Sequence, residues 1–283
     1  MTELQGKVAL VTGGSRGAGR GIALELARAG AYVYFTGRNA GSMQEGGERT
    51  LAGVLGEIHS FGGEGSYIRC DHTNDAETEA VIRQIAAEQG KLDILVNNVW
   101  GGNNLPIENK PFWELPAAHW DHMFNAGVRA QLMTNYYAIP LMRSEGAGAG
   151  TGKLIIHTTF WDQYKYVGNF YYDLSKNALV RMAYGLSLEL AADGIAVIPL
   201  SPGWMRTELV LESMKTDEEH WQEVEELQAS ESTAYIGRAA VALAADPEVM
   251  QLTGRPQQVG SLAEKYGYTD TDGRRVPVFN IPE

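Results

Sequence analysis

A tyrosine and a lysine stand four residues apart in the run Tyr172-Asp-Leu-Ser-Lys176. On a helix that spacing brings both side chains to one face, so a phenol and an ammonium point into the same site. A free phenol titrates at about 10 and is a poor base at neutral pH. A neighbouring ammonium stabilises the phenolate and draws that value down, which makes the pair a candidate proton donor and acceptor. Tyr171 is out of register, because four residues beyond it lies Ser175. Such a pair also arises on many helices by chance, so its meaning depends on what accompanies it.

Its company begins near the N-terminus, in Val8-Ala-Leu-Val-Thr-Gly-Gly-Ser-Arg-Gly-Ala-Gly-Arg20. This reads as a buried strand, a glycine-rich turn and the start of a helix. Gly13, Gly17 and Gly19 suit a tight turn, close backbone approach to a pyrophosphate, and close packing of helix on strand. The helix start then offers free N–H groups and the positive end of its dipole to phosphates.

These residues need a scaffold, and the chain supplies an alternating one. Short runs rich in apolar residues predict strands at 8–12, 32–36, 67–71, 94–97, 154–159 and 195–200, most of them apolar throughout, as strands buried on both faces are. Helices are predicted between them at 20–29, 50–60, 77–89, 120–142 and 174–191. The α/β alternation implies a parallel sheet covered on both sides. At 283 residues, the chain fits one large domain. A glycine-rich run, 146–152, reads as a flexible link into the fifth strand. Two regions leave the alternation: an acidic stretch at 207–231 and a turn-rich tail beyond Gly260. The first follows the last strand of the candidate site and reads as a substrate lid, within 207–235; surface decoration is the alternative for both.

A net charge of −12 argues against general nucleic-acid binding. No apolar run approaches the length of a membrane span, and the polar N-terminus lacks the pattern of a secretory signal. Cys70 is the single cysteine, so no internal disulfide and no zinc spacing exist. A cytoplasmic location is the expectation.

The spacing Thr-Gly-x-x-x-Gly-x-Gly at 12–19, followed by Asn97-Asn98, Tyr172-x-x-x-Lys176 and Ser201-Pro-Gly203, resembles the short-chain dehydrogenase/reductase family across nearly the whole chain. The runs 120–129 and 262–277 resemble one branch, the dehydrogenase/reductase member-one type. The resemblance implies a single-domain Rossmann fold over 1–283, with a doubly wound seven-stranded parallel sheet and a C-terminal extension at 261–283. It implies an oxidoreductase that interconverts a ketone or aldehyde, hydrophobic or steroid-like, and a secondary alcohol, with Tyr172 as general acid and base. Lys176 would hold the nicotinamide ribose. Gly13, Ser15, Arg16, Gly17, Ala18 and Gly19 would meet the cofactor phosphates. Asp71 would face the adenine amine with His72 stacked nearby, and Asn98 would lie against the ribose. Pro202, Gly203, Met205 and Thr207 would hold the carboxamide. A homodimer or homotetramer is implied, with no nucleic-acid or membrane partner.

Several positions depart from the family pattern. The second strand ends Phe35-Thr-Gly-Arg38 without the acid that binds the ribose hydroxyls of NAD. Arg38 with Arg16 suits a clamp on a 2′-phosphate, so NADP(H) is expected over NAD(H). The family serine, thirteen positions before the tyrosine, is here Thr159, with Thr158 as the runner-up. The hydroxyl is kept and would meet the substrate oxygen. The family asparagine on the long central helix falls at Gly127, seven residues after Trp120, while Asn125 lies two residues too early. Trp100 replaces the glycine of the family's Asn-Asn-Ala-Gly. Trp100, Phe160, Trp161 and Trp204 near the strand ends suggest a hydrophobic or aromatic substrate. A dehydratase or epimerase is a competing enzyme reading. A catalytically weak NADP(H)-sensing or scaffold protein is the alternative that Thr159, Gly127 and Trp100 keep open.

Overall fold

The computed structural model describes residues 3–41, 49–143, 152–163 and 165–281. The glycine-rich run at 146–152 lies, apart from Gly152, outside them. Seven parallel strands form one sheet in the order β3-β2-β1-β4-β5-β6-β7. They are β1 (Val8–Val11), β2 (Tyr32–Gly37), β3 (Glu64–Arg69), β4 (Ile94–Asn97), β5 (Lys153–Thr158), β6 (Ile195–Ser201) and β7 (Gln257–Gln258). The order reverses direction at β1, and a crevice past the strand ends is the expected ligand site of such sheets.

The continuous apolar strands are explained by two cores. Ala9 and Val11 of β1, Leu154 and Ile156 of β5, and Ala196 and Ile198 of β6 face one of them. That side is covered by α1 (Gly17–Arg28), α2 (Leu51–Ser60), α7 (Thr233–Ala245) and α8 (Val259–Tyr266). The alternate residues Val8, Leu10, Ile155, Ile195 and Val197 face the other. There they meet α3 (Asp75–Gln89), α4 (Ala130–Arg143) and α5 (Phe170–Glu189). Because side chains alternate along a strand, an apolar residue at every position satisfies both layers. Each such side chain contributes roughly 1.5–3 kcal/mol on burial.

Local chemistry sets the helix limits. Asn169 accepts the Tyr172 N–H at 3.0 Å, so α5 starts at Phe170 instead of 174. Asn74 accepts from the Ala76 N–H at 3.1 Å and starts α3, which ends on the left-handed Gly90 (φ 70°). The predicted 120–142 helix is two segments, a wide π-helical stretch Trp120–Arg129 that continues as α4. The third strand lies at Glu64–Arg69, earlier than its predicted 67–71. Three elements had no sequence prediction: β7, α7 and α8. Helix α7 packs closely on α1, where a Cβ on Gly21 would come within 1.9 Å of the Thr233 carbonyl. No helix among the described residues is long and apolar enough to cross a membrane, and among them no group of three His, Cys, Asp or Glu side chains is placed to hold a metal ion.

Two buried histidines lie beneath the strand ends. His157 meets Gln131 Oε1 through Nδ1 at 2.8 Å and the Asn135 amide through Nε2 at 3.1 Å. Asn135 in turn accepts from Asn97 at 2.8 Å, and the Gln131 amide reaches the Val99 carbonyl at 3.4 Å. His72 is buried among Thr36 (2.8 Å), Thr78 (3.2 Å) and Thr134 (3.3 Å). Thr78 and Thr134 give their protons to the carbonyls of Asn74 and Ala130. His72 Nδ1 therefore donates, and Nε2 accepts from Thr36. Thr36 also accepts the Gly13 N–H at 3.4 Å, which links His72 to the glycine loop.

Burial holds His72 down to about 4 and His157 down to about 3, from an ordinary 6.5. Both stay neutral in the fold while the unfolded chain takes up protons. Their contribution is complete above about pH 6.5 and is lost as pH falls toward 4, by up to about 3 kcal/mol for each site. Urea midpoints at pH 7.5 and pH 5 should therefore differ, and His157→Gln should flatten the dependence. An equal pH response in this variant and the parent would refute the assignment.

Candidate active site

The site is assembled at the carboxyl ends of the strands. Gly13 and Gly17 adopt φ of 71° and 56°, a left-handed conformation that suits glycine. A Cβ on Gly19 would come within 2.2 Å of the Gly13 carbonyl and 2.4 Å of the Asn98 amide. The loop thus folds back on the first turn of α1 with its backbone bare, a fit for a dinucleotide pyrophosphate. Asn98 braces it: its amide donates to Thr12 O and Gly13 O, each at 3.1 Å, and its oxygen accepts from Thr158 at 3.1 Å. Ser15 and Ala18 lie half-buried in the same loop, and Arg16 is exposed at the cap position of α1.

Arg38 is exposed just past β2. Neither it nor Arg16 makes an ion pair among the described residues. Asp71 is partly buried, which opposes its ionisation. Hydrogen bonds from the Thr73 N–H and hydroxyl, together with Arg38, nevertheless hold its carboxyl below the usual range. His72 is not available to stack on an adenine ring. It is 3% exposed and bonded on both ring nitrogens, so its part is to support Thr36 and the loop.

Tyr172 and Lys176 do share one face of α5. The Lys176 ammonium lies 5.5 Å from the centre of the Tyr172 ring and 3.8 Å from that of Trp100. Trp100 stands edge-on to Tyr172 at 5.7 Å and 85°. A desolvated ammonium over an indole is worth about 2 kcal/mol. Gly127 makes room for that indole, since a Cβ there would approach it to 2.9 Å. The π-helical stretch thus turns a bare position toward the site, while Asn125 faces Asp121, to which it donates at 2.9 Å.

Two sequence expectations change here. The Tyr172 phenol is pushed up to about 12, chiefly by burial and further by Asp173. Burial brings the Lys176 ammonium down to about 7. Desolvation therefore outweighs the ammonium's pull on the phenol. The Thr159 hydroxyl is also committed inward. It is 3% exposed and donates to the Lys176 carbonyl at 2.7 Å, because alternation at the end of β5 turns Thr158 toward Asn98 and Thr159 toward α5. Phe160 is the residue whose ring reaches Tyr172, at 6.4 Å.

Past β6, Pro202 and Gly203 form the turn, Met205 is buried, and Thr207 caps α6 (Glu208–Ser213), its hydroxyl accepting from Val210 N at 3.4 Å. The acidic region is built, not decorative. Arg206, 1% exposed, stacks 4.1 Å over Trp221, meets Glu218 at 3.1 Å, and reaches buried Asp270 at 3.5 Å. Three side chains in this area escaped the sequence reading. Glu231 is buried against Gly203, and its carboxyl is pushed up to about 8 by burial. Glu208 accepts the Gly17 N–H at 2.8 Å, and Glu212, four residues on, pairs with Arg49. A carboxylate directly following the capping Thr207 was the available signal for Glu208; nothing local marked Glu231.

A glycine loop at the turn of a parallel sheet, with Tyr and Lys on the helix after its fifth strand, is the site of a short-chain dehydrogenase/reductase, and the chain belongs to that family. The family's short chain dehydrogenase model matches residues 7–218. The chain is of the member-one type: it is 37% identical over 281 residues to the human protein "Dehydrogenase/reductase SDR family member 1", covering 96% of this chain and 86% of that one. It is 30% identical over 215 residues to the 7alpha-hydroxysteroid dehydrogenase of Escherichia coli K12, covering 76% of this chain and 77% of that one. The solved structure of a hydroxysteroid dehydrogenase from Escherichia coli matches with a TM-score of 0.72 at 28% identity, covering 90% of this chain and 96% of that one. The protein is therefore an oxidoreductase of the class that uses nicotinamide dinucleotides to interconvert carbonyls and alcohols.

Glu208 would bear on such a cofactor. Its carboxylate accepts the Gly17 N–H, a donor at the helix start that a pyrophosphate would otherwise meet, and its charge would repel an incoming anion. Glu208→Gln should tighten binding of a reduced nicotinamide dinucleotide roughly fivefold, as expected for about 1 kcal/mol of lost competition. Fluorescence titration measures this, and unchanged or weaker binding would count against it.

Proposed function

We propose that the protein is an NADP(H)-dependent oxidoreductase that interconverts a ketone or aldehyde and a secondary alcohol, with Tyr172 moving the proton. The observation that carries this reading is the placement of the Tyr172 phenol and the Lys176 ammonium on one face of α5, beside the glycine loop. When bound, the nicotinamide supplies or accepts the hydride. Tyr172, protonated at neutral pH, donates its hydroxyl proton to the carbonyl oxygen as the C–O π bond opens, and the product is the alcohol. In the reverse direction its phenolate takes the alcohol proton. Lys176, whose ammonium is brought down to about 7, holds a positive charge near the phenol on the acid side of that value and would hold the nicotinamide ribose. Thr159 serves as a positioning residue, pinning the Lys176 turn of α5 to β5. The Pro202–Gly203 turn, the backbone of Met205, and Thr207 would hold the carboxamide. Asp71 would face the adenine amine, and Asn98 would lie against the ribose.

The choice of NADP(H) is supported by the absence of a carboxylate at the end of β2 and by exposed Arg38 and Arg16 beside it. A cytoplasmic homodimer or homotetramer completes the proposal. Apolar side chains left exposed on α4 and α5, Leu132, Tyr136, Tyr184 and Leu188, support self-association. A second reading, binding of NADP(H) without turnover, is favoured by the indole of Trp100 lying over Lys176.

NADPH consumption over a panel of ketones and aldehydes separates the two readings. Tyr172→Phe should lower turnover by roughly 100- to 10,000-fold while NADPH binding persists. Turnover of nothing in the panel, by parent and variant alike, would favour the sensor. Arg38→Asp should reverse the coenzyme preference, with NADPH affinity falling at least about tenfold, as for a lost charge-assisted hydrogen bond. An unaltered NADPH-to-NADH ratio would argue against the clamp.

A further inference from the structure

The C-terminal tail returns to the face of the sheet that carries the site, and it is fastened along its length. The Tyr235 hydroxyl donates to the Val276 carbonyl at 3.1 Å. A Cβ on Gly260 would come within 2.6 Å of Val278 N, so the tail lies directly on the first turn of α8. Farther on, the Ile281 N–H donates to Asp162 Oδ2 at 2.7 Å, and the Lys165 ammonium donates to the Ile281 carbonyl at 2.8 Å. Asp162 is 5% exposed and belongs to the loop that follows β5. Without the tail, this carboxylate would lose the Ile281 N–H and keep the Lys165 ammonium at 3.8 Å, a weaker partner for a buried charge. Loop and tail therefore order together.

Between these anchors, Phe279 is set against the loops on both sides of the catalytic tyrosine. A Cβ on Gly203 would come within 3.1 Å of Phe279 Cβ, which places Phe279 on the turn after β6. Its ring lies 6.2 Å from that of Phe160 at 67°, and Phe160 in turn lies 6.4 Å from Tyr172. All three residues are half-buried. The tail runs on past Val276, the last buried residue among those described. It continues to a buried carboxylate, and on the way it carries an aromatic ring to the site.

We propose that the tail is a wall of the substrate site, and that Phe279 selects carbonyl compounds whose larger substituent is a planar aromatic group. This rests on the carbonyl–alcohol reading above. Phe160 and Phe279 present rings at an edge-to-face angle, and aromatic groups favour offset or edge-on partners at such separations. A planar aromatic substituent meets two ring partners there, whereas a short aliphatic chain gains only the burial of its smaller area. Glu231 and Phe279 both close on the bare Gly203, at 3.0 and 3.1 Å from a Cβ built there, so the turn that follows β6 and the wall lie in contact.

The test compares kcat/KM for 2-acetonaphthone with that for propanal, using NADPH and the full-length protein. Phe279→Ala should lower the ratio about tenfold, the loss expected for one aromatic partner with its buried area, and the change should appear in KM for the naphthyl ketone. Phe279→Tyr keeps the ring and should restore the ratio to within about twofold of the parent. Asp162→Ala, which unclasps the tail without altering Phe279, should move the ratio in the same direction as Phe279→Ala. An unchanged ratio in Phe279→Ala, or an equal fall for both substrates that Phe279→Tyr does not rescue, would overturn the proposal while leaving the carbonyl reading intact. Failure of the parent to turn over any carbonyl would overturn both.

Discussion

The side chain of Asn98 donates to the carbonyls of Thr12 and Gly13 and accepts from Thr158, and so it joins the ends of β1, β4 and β5 in one geometry. The glycine loop can fold back on α1 only because this amide fills the space beneath it. From the same three ends hang the other parts of the site: Trp100 follows β4, Phe160 follows β5, and the N-terminus of α1 follows β1. Below them, His157 and its amide partners carry the support into the interior. Polar side chains buried this deeply are tolerated because they satisfy one another.

The parts legible in the sequence were those written as local pattern. Six strands announced themselves through apolar runs, and the loop through glycine spacing. The pair Tyr172 and Lys176 shared a face by helical period, and the glycine loop and strand order gave that spacing its meaning. Strand β7 did not, because two glutamines at a sheet edge carry no apolar signal. Helices α7 and α8 lay beyond the region where alternation was traced, and their glycines Gly237 and Gly260 blurred the pattern. The directions of His72 and Thr159 were also hidden. Both follow from which neighbour each side chain meets across the fold, Thr36 in one case and the Lys176 carbonyl in the other. The same holds for the phenol, whose titration depends on how much water the assembled rings exclude.

The acidic segment gained most from the folded structure. In the sequence it was a run of charge with a tryptophan. In the fold, Arg206 is enclosed by Trp221, Glu218 and Asp270, and this ties the segment to the C-terminal region. Its helix α6 then lays two carboxylates, one turn apart, on the cofactor side of the molecule: Glu208 on the loop and Glu212 on Arg49. A helix so short has little stability of its own. Its position is fixed by these contacts, so whatever competes for them also decides where the helix lies.

Trp100 and Gly127 occupy each other's space, because the indole lies where any side chain at 127 would begin. The two positions are therefore coupled: a side chain at 127 obliges the indole to shift, and a shifted indole withdraws its ring from the buried side chain of Lys176. Bulk at 127 would in this way be felt at the lysine without touching it.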